Sequence, residues 1–156
     1  MGQETERRFL VNKALWEQLE KPEGTLYLQG YLLNENDRNV RVRIAGDKGF
    51  ITVKGTGEGI TSLEYEYEIP KADAEEMLVK FRPAGTEKIR YRLPASGGLT
   101  WEVDVFQKAN EGLIIAEIEL EQENQSFEKP AWLGQEITGE ERYANASLAL
   151  HAYKAW

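Results

Sequence analysis

The chain has no cysteine, a single histidine and no apolar run near the roughly 18 residues that a membrane-spanning helix needs. Without cysteine there are no disulfides and no thiolate metal sites, and His151 alone leaves little imidazole for a zinc centre or a Ser/His/Asp relay. Any metal must therefore be held by oxygen ligands, which points to Mg²⁺, Mn²⁺ or Ca²⁺. No signal-peptide or lipidation pattern stands at either end, so a cytoplasmic location away from any membrane is expected. Positive charge is also scarce, with 19 Lys and Arg against 27 Asp and Glu and a net charge of −8. That balance excludes a general nucleic-acid-binding surface, while basic clusters inside strand patterns suggest a confined basic pocket. Linkers and internal repeats are lacking, so residues 1–156 read as one domain with room for a substantial core. Nothing marks a protein partner.

What the chain does have is one arrangement in six stretches: charged residues two apart with mostly hydrophobic or aromatic residues between them. The stretches are Glu4/Glu6/Arg8, Arg41/Arg43, Glu64/Glu66/Glu68, Lys88/Arg90/Arg92, Glu102/Asp104 and Glu117/Glu119/Glu121. Side chains on a β-strand alternate faces, so each stretch puts its charges on one face and its apolar residues on the other. An antiparallel sheet with one wet face alternates too. A wet face, however, mixes Ser, Thr, Gln and charges, whereas these positions are nearly all ionic and sorted by sign between strands. Like charges two apart repel, so the pattern suggests a bound counter-ion, and a site for both a divalent cation and a polyanion needs such a surface.

Along the chain, strands are expected at residues 3–11, Leu26–Leu33, Val40–Ile44, Phe50–Lys54, Leu63–Ile69, Glu87–Leu93, Leu99–Phe106 and Ile114–Leu120. Asn12 is placed to cap a helix over Lys13–Leu19, Asp73 to cap one through Phe81, and a terminal helix is expected over about Asn145–Tyr153. Phe127–Gly134 reads as a loop over the sheet. About eight antiparallel strands with helices outside make an α+β chain whose strands can close into a barrel holding one small ligand. Closure makes the apolar face the outside, which the helices and the Trp-containing loop are available to cover.

The inward charges are eight carboxylates, Glu4, Glu6, Glu64, Glu66, Glu102, Asp104, Glu117 and Glu119, and seven cations, Arg8, Arg41, Arg43, Lys54, Lys88, Arg90 and Arg92. Arginine forks and lysines match phosphate oxygens while carboxylates hold a metal, so a triphosphate with a divalent cation docks without a large charge imbalance. Glu4-Thr5-Glu6-Arg7-Arg8 resembles the N-terminal ExExK signature of the triphosphate tunnel metalloenzymes, the CYTH superfamily. The resemblance continues through Gln29-Gly30-Tyr31-Leu32, Val40-Arg41-Val42-Arg43, Thr52-Val53-Lys54, Glu64-Tyr65-Glu66, Glu87-Lys88-Ile89-Arg90-Tyr91, Glu102-Val103-Asp104-Val105-Phe106, Glu117-Ile118-Glu119 and Arg142-Tyr143-Ala144-Asn145.

This resemblance implies an eight-stranded antiparallel tunnel that binds a linear triphosphate end-on, with metal-dependent hydrolysis in most relatives and adenylate cyclisation in some. It implies Mg²⁺ or Mn²⁺ on Glu4, Glu6, Glu117 and Glu119 with Asp104 nearby, and phosphates on Arg41, Arg43, Lys54, Lys88 and Arg90. Glu64 and Glu66 match a further acidic pair, placed either to orient basic residues or to hold a second metal. Arg8 stands where the family usually has lysine; it keeps the charge for phosphate in a bulkier, forked form. Glu4 and Glu6 are the candidates for holding the attacking water. Tyr31, on the inward parity of its strand, is either a proton-transfer group or a hydrogen bonder in the barrel wall. His151 reads as a packing or surface residue, and Trp16, Trp101, Trp132 and Trp156 as core or lid residues. The leading expectation is a hydrolase of inorganic triphosphate. Thiamine or nucleoside triphosphatase, adenylate cyclase, a non-catalytic polyphosphate-binding module and a bare structural barrel stand as alternatives.

Overall fold

The computed structural model describes residues 2–156. Its nine strands are β1 (Gly2–Val11), β2 (Thr25–Asn34), β3 (Arg38–Ala45), β4 (Lys48–Thr56), β5 (Thr61–Ile69), β6 (Gly85–Pro94), β7 (Thr100–Phe106), β8 (Ile114–Glu119) and β9 (Leu133–Glu136). Three helices accompany them: α1 (Lys13–Gln18), α2 (Lys71–Phe81) and α3 (Asn145–Leu150). Every pairing is antiparallel, in the order β5-β4-β3-β2-β6-β7-β8-β1, and β1 also pairs with β5, so eight strands close into a barrel. Closure depends on the length of β1. Gly2–Thr5 pair with β5 along one edge, and Glu6–Leu10 pair with β8 along the other. β9 then occupies the first edge where β5 leaves it, against Phe9 and Val11.

The period-2 pattern places the core largely outside the barrel. Phe9 of β1, Trp101 and Val103 of β7 and Ile114, Ala116 and Ile118 of β8 form one buried cluster, roofed by Trp16 of α1 and by Trp132. The aromatic rings there meet edge to face, as Trp16 and Trp132 do at 5.7 Å, which suits their quadrupoles. A second cluster sits under α2, where Ala74, Met77 and Leu78 cover Val42, Ile44, Leu28 and Ile69. α2 lies so close to β4 that a Cβ on Gly49 would come within 2.9 Å of the Ala74 Cβ. The third cluster joins Phe106 and Ile115, which share the inward parity of Asp104 and Glu117, to Ile137, Tyr143 and Leu148. The segment after β9 thus fills part of the barrel interior with apolar side chains. Tyr65 and Tyr67 on the outer face of β5 stay exposed.

The expected elements are present, with differences that have local causes. Asn12 caps α1, its Oδ1 accepting from the Leu15 N–H at 3.1 Å. Asp73 does not cap α2: the helix starts three residues earlier than that cap would set it, at Lys71, because the Pro70 carbonyl accepts from the N–H groups of Asp73 and Ala74, and Asp73 sits in the first turn, where its charge suits the helix dipole. α3 stops at Leu150 instead of reaching Tyr153; the chain turns there, so that the Tyr153 N–H reaches Asn110 Oδ1 at 2.8 Å and Trp156 packs on Tyr143. β9 takes the end of the stretch expected as a loop, since the free edge of β1 offers it backbone partners. Among the described residues no helix is long and apolar enough to cross a membrane.

Candidate active site

Strand order sorts the inward charges. β7, β8, β1 and β5 are consecutive around the barrel and carry Glu102, Asp104, Glu117, Glu119, Glu4, Glu6, Glu64 and Glu66; β4, β3, β2 and β6 complete the circle and carry Lys54, Arg41, Arg43, Lys88, Arg90 and Arg92. One half of the wall is acidic and the other basic. Arg8 is the exception, a cation within the acidic half. Opposite charges meet in register at the two seams, Lys54 against Glu64 where β4 joins β5, and Arg90 against Asp104 with Arg92 against Glu102 where β6 joins β7. Cross-strand pairs of this kind stabilise the seam. The halves enclose a cavity of about 650 Å³, lined along β3 from Arg38 at one end to Ala45 at the other, so it follows the strand through the barrel.

The basic half holds Arg41, Arg43, Lys88 and Arg90 buried. Lys88 has no exposed side-chain surface; its Nζ donates to Asp104 Oδ2 at 2.7 Å and to Asn145 Oδ1 at 3.1 Å. Arg90 grips the same carboxylate with Nε at 2.7 Å and Nη2 at 2.9 Å and reaches Glu117 Oε1 at 3.2 Å. Burial favours neutral Asp104, yet Arg90 and Lys88 together hold it well below the usual carboxylate range. Burial pulls Lys88 down to about 7, with Arg90 and Arg43 adding to the fall and Asp104 opposing it. Arg43 donates from Nε to Gln29 Oε1 at 2.8 Å. Burial, then Arg41 and Arg90, lower its guanidinium to about 10. Arg41 donates from Nη2 to Thr52 Oγ1 at 3.1 Å and lies 3.4 Å from Glu66, while its buried Nε has no partner among the described residues. Buried, under-partnered guanidinium N–H groups are what an oxyanion satisfies.

The acidic half is crowded. Glu6 stands directly opposite Glu119 in the β1–β8 register, with Glu4 two residues away. Burial first, then the charges of Glu117 and Glu4, raise Glu6 to about 8, against the pull of Lys54 and Arg8. Burial and Glu4 raise Glu64 to about 7, and burial, Glu4 and Glu102 raise Glu119. Like charges paired across a ladder are destabilising, so the cluster fits a hard divalent cation by its donor chemistry and by its excess of negative charge. The coordination sphere is not preformed: among the described residues no three carboxylates converge as ready ligands. Glu4 accepts instead from Lys54 Nζ at 2.9 Å, and Glu117 accepts from Arg8 Nε at 2.9 Å. Arg8 keeps its Nη2 buried and unpartnered among the described residues.

The structure thus brings Glu4, Glu6, Arg8, Tyr31, Arg41, Arg43, Lys54, Glu64, Glu66, Lys88, Arg90, Glu117 and Glu119 to one cavity. Asp104 stands behind that surface, 1% exposed, with both oxygens occupied by Lys88 and Arg90. Glu121 lies beyond the end of β8, and His151 is exposed outside the cavity. Four side chains with no assigned role also belong here. Arg92 bonds Glu102 at 3.0 Å and Tyr27 Oη at 2.9 Å, and Asn145 Oδ1 accepts from both Lys88 and Gln29. Tyr27 shares the parity of Gln29 and Tyr31, so the signal for it was present in the alternation. The contribution of Asn145 depends on where the C-terminal segment lies.

A family model described as the CYTH domain matches residues 2–153. The chain is 50% identical over 156 residues to an inorganic triphosphatase of Acetivibrio thermocellus, covering 99% of this chain and 97% of that one. It is 34% identical over 154 residues to an inorganic triphosphatase of Nitrosomonas europaea, covering 94% and 97%. The crystal structure of an inorganic triphosphatase superposes with a TM-score of 0.64 at 32% identity over 94% of each chain. A putative adenylate cyclase from Bacillus halodurans shares the fold alone, with a TM-score of 0.63 at 19% identity over 79% of this chain and 84% of that one.

Proposed function

The chain belongs to the CYTH-domain family, and from that premise we propose that it hydrolyses inorganic triphosphate, bound lengthwise in the barrel, with the help of a divalent cation. The observation that carries this reading is the two-sided wall, with carboxylates on four consecutive strands and cations on three of the other four, β4, β3 and β6, while β2 between β3 and β6 adds Tyr27, Gln29 and Tyr31. A linear triphosphate between them meets guanidinium and ammonium groups on one side, and a cation shared with carboxylates on the other. The likeness to two inorganic triphosphatases along nearly the whole chain supports the same substrate.

Arg41, Arg43, Lys54, Lys88 and Arg90, with Arg8 from the far wall, grip the phosphate oxygens. Glu4, Glu6, Glu64 and Glu119 would hold Mg²⁺ or Mn²⁺, which when bound neutralises phosphate charge. Glu117 and Glu66 face Arg8 and Arg41 and serve in this reading to set those arginines. Asp104 does the same for Lys88 and Arg90. Glu4 has to release Lys54 to take a metal, which frees that ammonium for phosphate. Transfer to water passes through a loose transition state that spreads charge over oxygens, so positioned cations supply most of the catalysis. A water held by Glu4 and Glu6 attacks the terminal phosphorus, the bridging P–O bond breaks, and pyrophosphate leaves with the electron pair. The proton released by that water passes to a carboxylate of the cluster that the cation does not engage, and Tyr31, opposite Arg41 in the β2–β3 register, is placed as a second proton-transfer group.

Incubating purified protein with tripolyphosphate, thiamine triphosphate or ATP, each with Mg²⁺ or Mn²⁺, and measuring phosphate release tests the proposal. Tripolyphosphate is expected to be turned over fastest. Tight tripolyphosphate binding without turnover would leave a polyphosphate-binding module, and neither binding nor turnover would leave a structural barrel.

A further inference from the structure

Arg43, Arg90 and Lys88 are buried cations on the two strands that flank β2, and their mutual repulsion has to be managed before any anion arrives. Arg90 and Lys88 share Asp104. Among the described residues Arg43 has only the neutral Gln29 as a hydrogen-bond partner. Between the two arginines stands Tyr27 of β2, 4% exposed. The Arg43 guanidinium carbon lies 4.8 Å from its ring centroid and that of Arg90 4.9 Å, the first reaching it from the β3 side and the second from the β6 side. The Lys88 ammonium lies at 6.0 Å, and the Tyr27 hydroxyl accepts from Arg92 Nη2 at 2.9 Å. A ring face attracts cations, and a desolvated contact does so more strongly than an exposed one.

We propose that Tyr27 is a positioning residue for the phosphate grip: its ring holds Arg43 and Arg90 apart and in place, and its hydroxyl ties down Arg92. The proposal rests on the triphosphatase reading above. It assigns to an aromatic side chain the role that a carboxylate plays for Lys88, with one difference. A carboxylate at this point would compete with phosphate for Arg43, whereas a π face orients Arg43 and occupies none of its N–H groups; Arg90 is held as well by Asp104, Glu117 and Glu102.

The test uses the full-length protein with Tyr27→Phe, and the same variant with one and then three fluorines placed on the ring by noncanonical incorporation. Fluorine withdraws π charge with little change of shape, so a residue that only fills space does not respond. Tripolyphosphate affinity is read by calorimetry, and KM and kcat by phosphate release with Mg²⁺. Tyr27→Phe, which gives up the bond to Arg92, is the reference for the series, and relative to it the trifluoro ring is expected to raise Kd and KM by about five- to tenfold with kcat within about twofold, the mark of uniform binding lost. A flat Kd across the fluorine series overturns the proposal, as does Tyr27→Phe matching the trifluoro ring or kcat falling at constant KM. Wild-type protein that binds tripolyphosphate without turning it over sinks the hydrolase reading, while the Kd series still decides on Tyr27. Wild-type protein that does not bind tripolyphosphate sinks both.

Discussion

Asp104→Asn separates two roles for a carboxylate that the chain's pattern alone would send to a metal. Asp104 accepts three hydrogen bonds, from Lys88 Nζ at 2.7 Å and from Arg90 Nε and Nη2 at 2.7 and 2.9 Å. An asparagine offers one acceptor oxygen, and its NH₂ group turns two donors toward groups that are themselves donors. Removing one partner of a buried ion-pair network typically costs about 3–5 kcal/mol, because the remaining charges stay out of water. For a chain of this size, that corresponds to a fall of about 10 °C in Tm. Lys88, already near neutrality through burial, also loses its counter-ion and sheds its proton more readily, so the grip on phosphate weakens. Thermal melts of wild type and Asp104→Asn, with and without tripolyphosphate, and KM at pH 6.5 and 8 measure both effects. Expected are the lower Tm and a KM penalty that grows between the two pH values. A variant with wild-type Tm and KM but weakened Mg²⁺ dependence would refute the reasoning and return Asp104 to the metal.

Three further expectations follow from the same geometry. Glu119→Ala, at the partly exposed end of the acidic cluster, should abolish metal-dependent phosphate release and leave Tm within about 2 °C, because the change relieves repulsion without opening the core; unchanged turnover would remove Glu119 from the metal set. Glu6 is raised from the usual carboxylate range to about 8, so between about pH 5 and 8 the folded chain holds a proton that the unfolded chain has released, and metal-free stability should fall as pH rises through that window. Mg²⁺ should flatten that fall, and melts whose pH slope ignores Mg²⁺ would contradict the placement of the cation. Gly49→Ala puts a methyl against Ala74 of α2 and should cost about 1–3 kcal/mol in urea denaturation while leaving turnover per folded molecule unchanged; wild-type stability would show that α2 shifts freely over β4.

Ion pairs explain how an acidic cluster and cations coexist in one cavity: each lends the other a partner. Lys54 rests on Glu4 and Arg8 on Glu117. Such pairs are cheaper to exchange than to leave unmade, since an unpaired buried charge carries its full desolvation cost.

Facing was legible in the sequence because it is local. A strand turns alternate side chains to opposite faces whatever its neighbours are, so Glu4, Glu6, Arg41, Arg43, Lys88, Arg90, Glu117 and Glu119 were assigned to one interior before any pairing was known. The Asn12 cap of α1 was equally local. Position around the barrel was not. That β1 is shared between β5 and β8, which places the acidic strands side by side, follows from hydrogen bonds between segments about 60 and 110 residues apart, and no short-range pattern encodes that order. β9, four residues with little alternation, exists because the edge of β1 has unpaired backbone groups to offer. Neighbours likewise decided that Asp104 faces two cations and that Tyr27 stands between two arginines. The chemistry of each side chain is written in the chain, but its partner is chosen when the barrel closes.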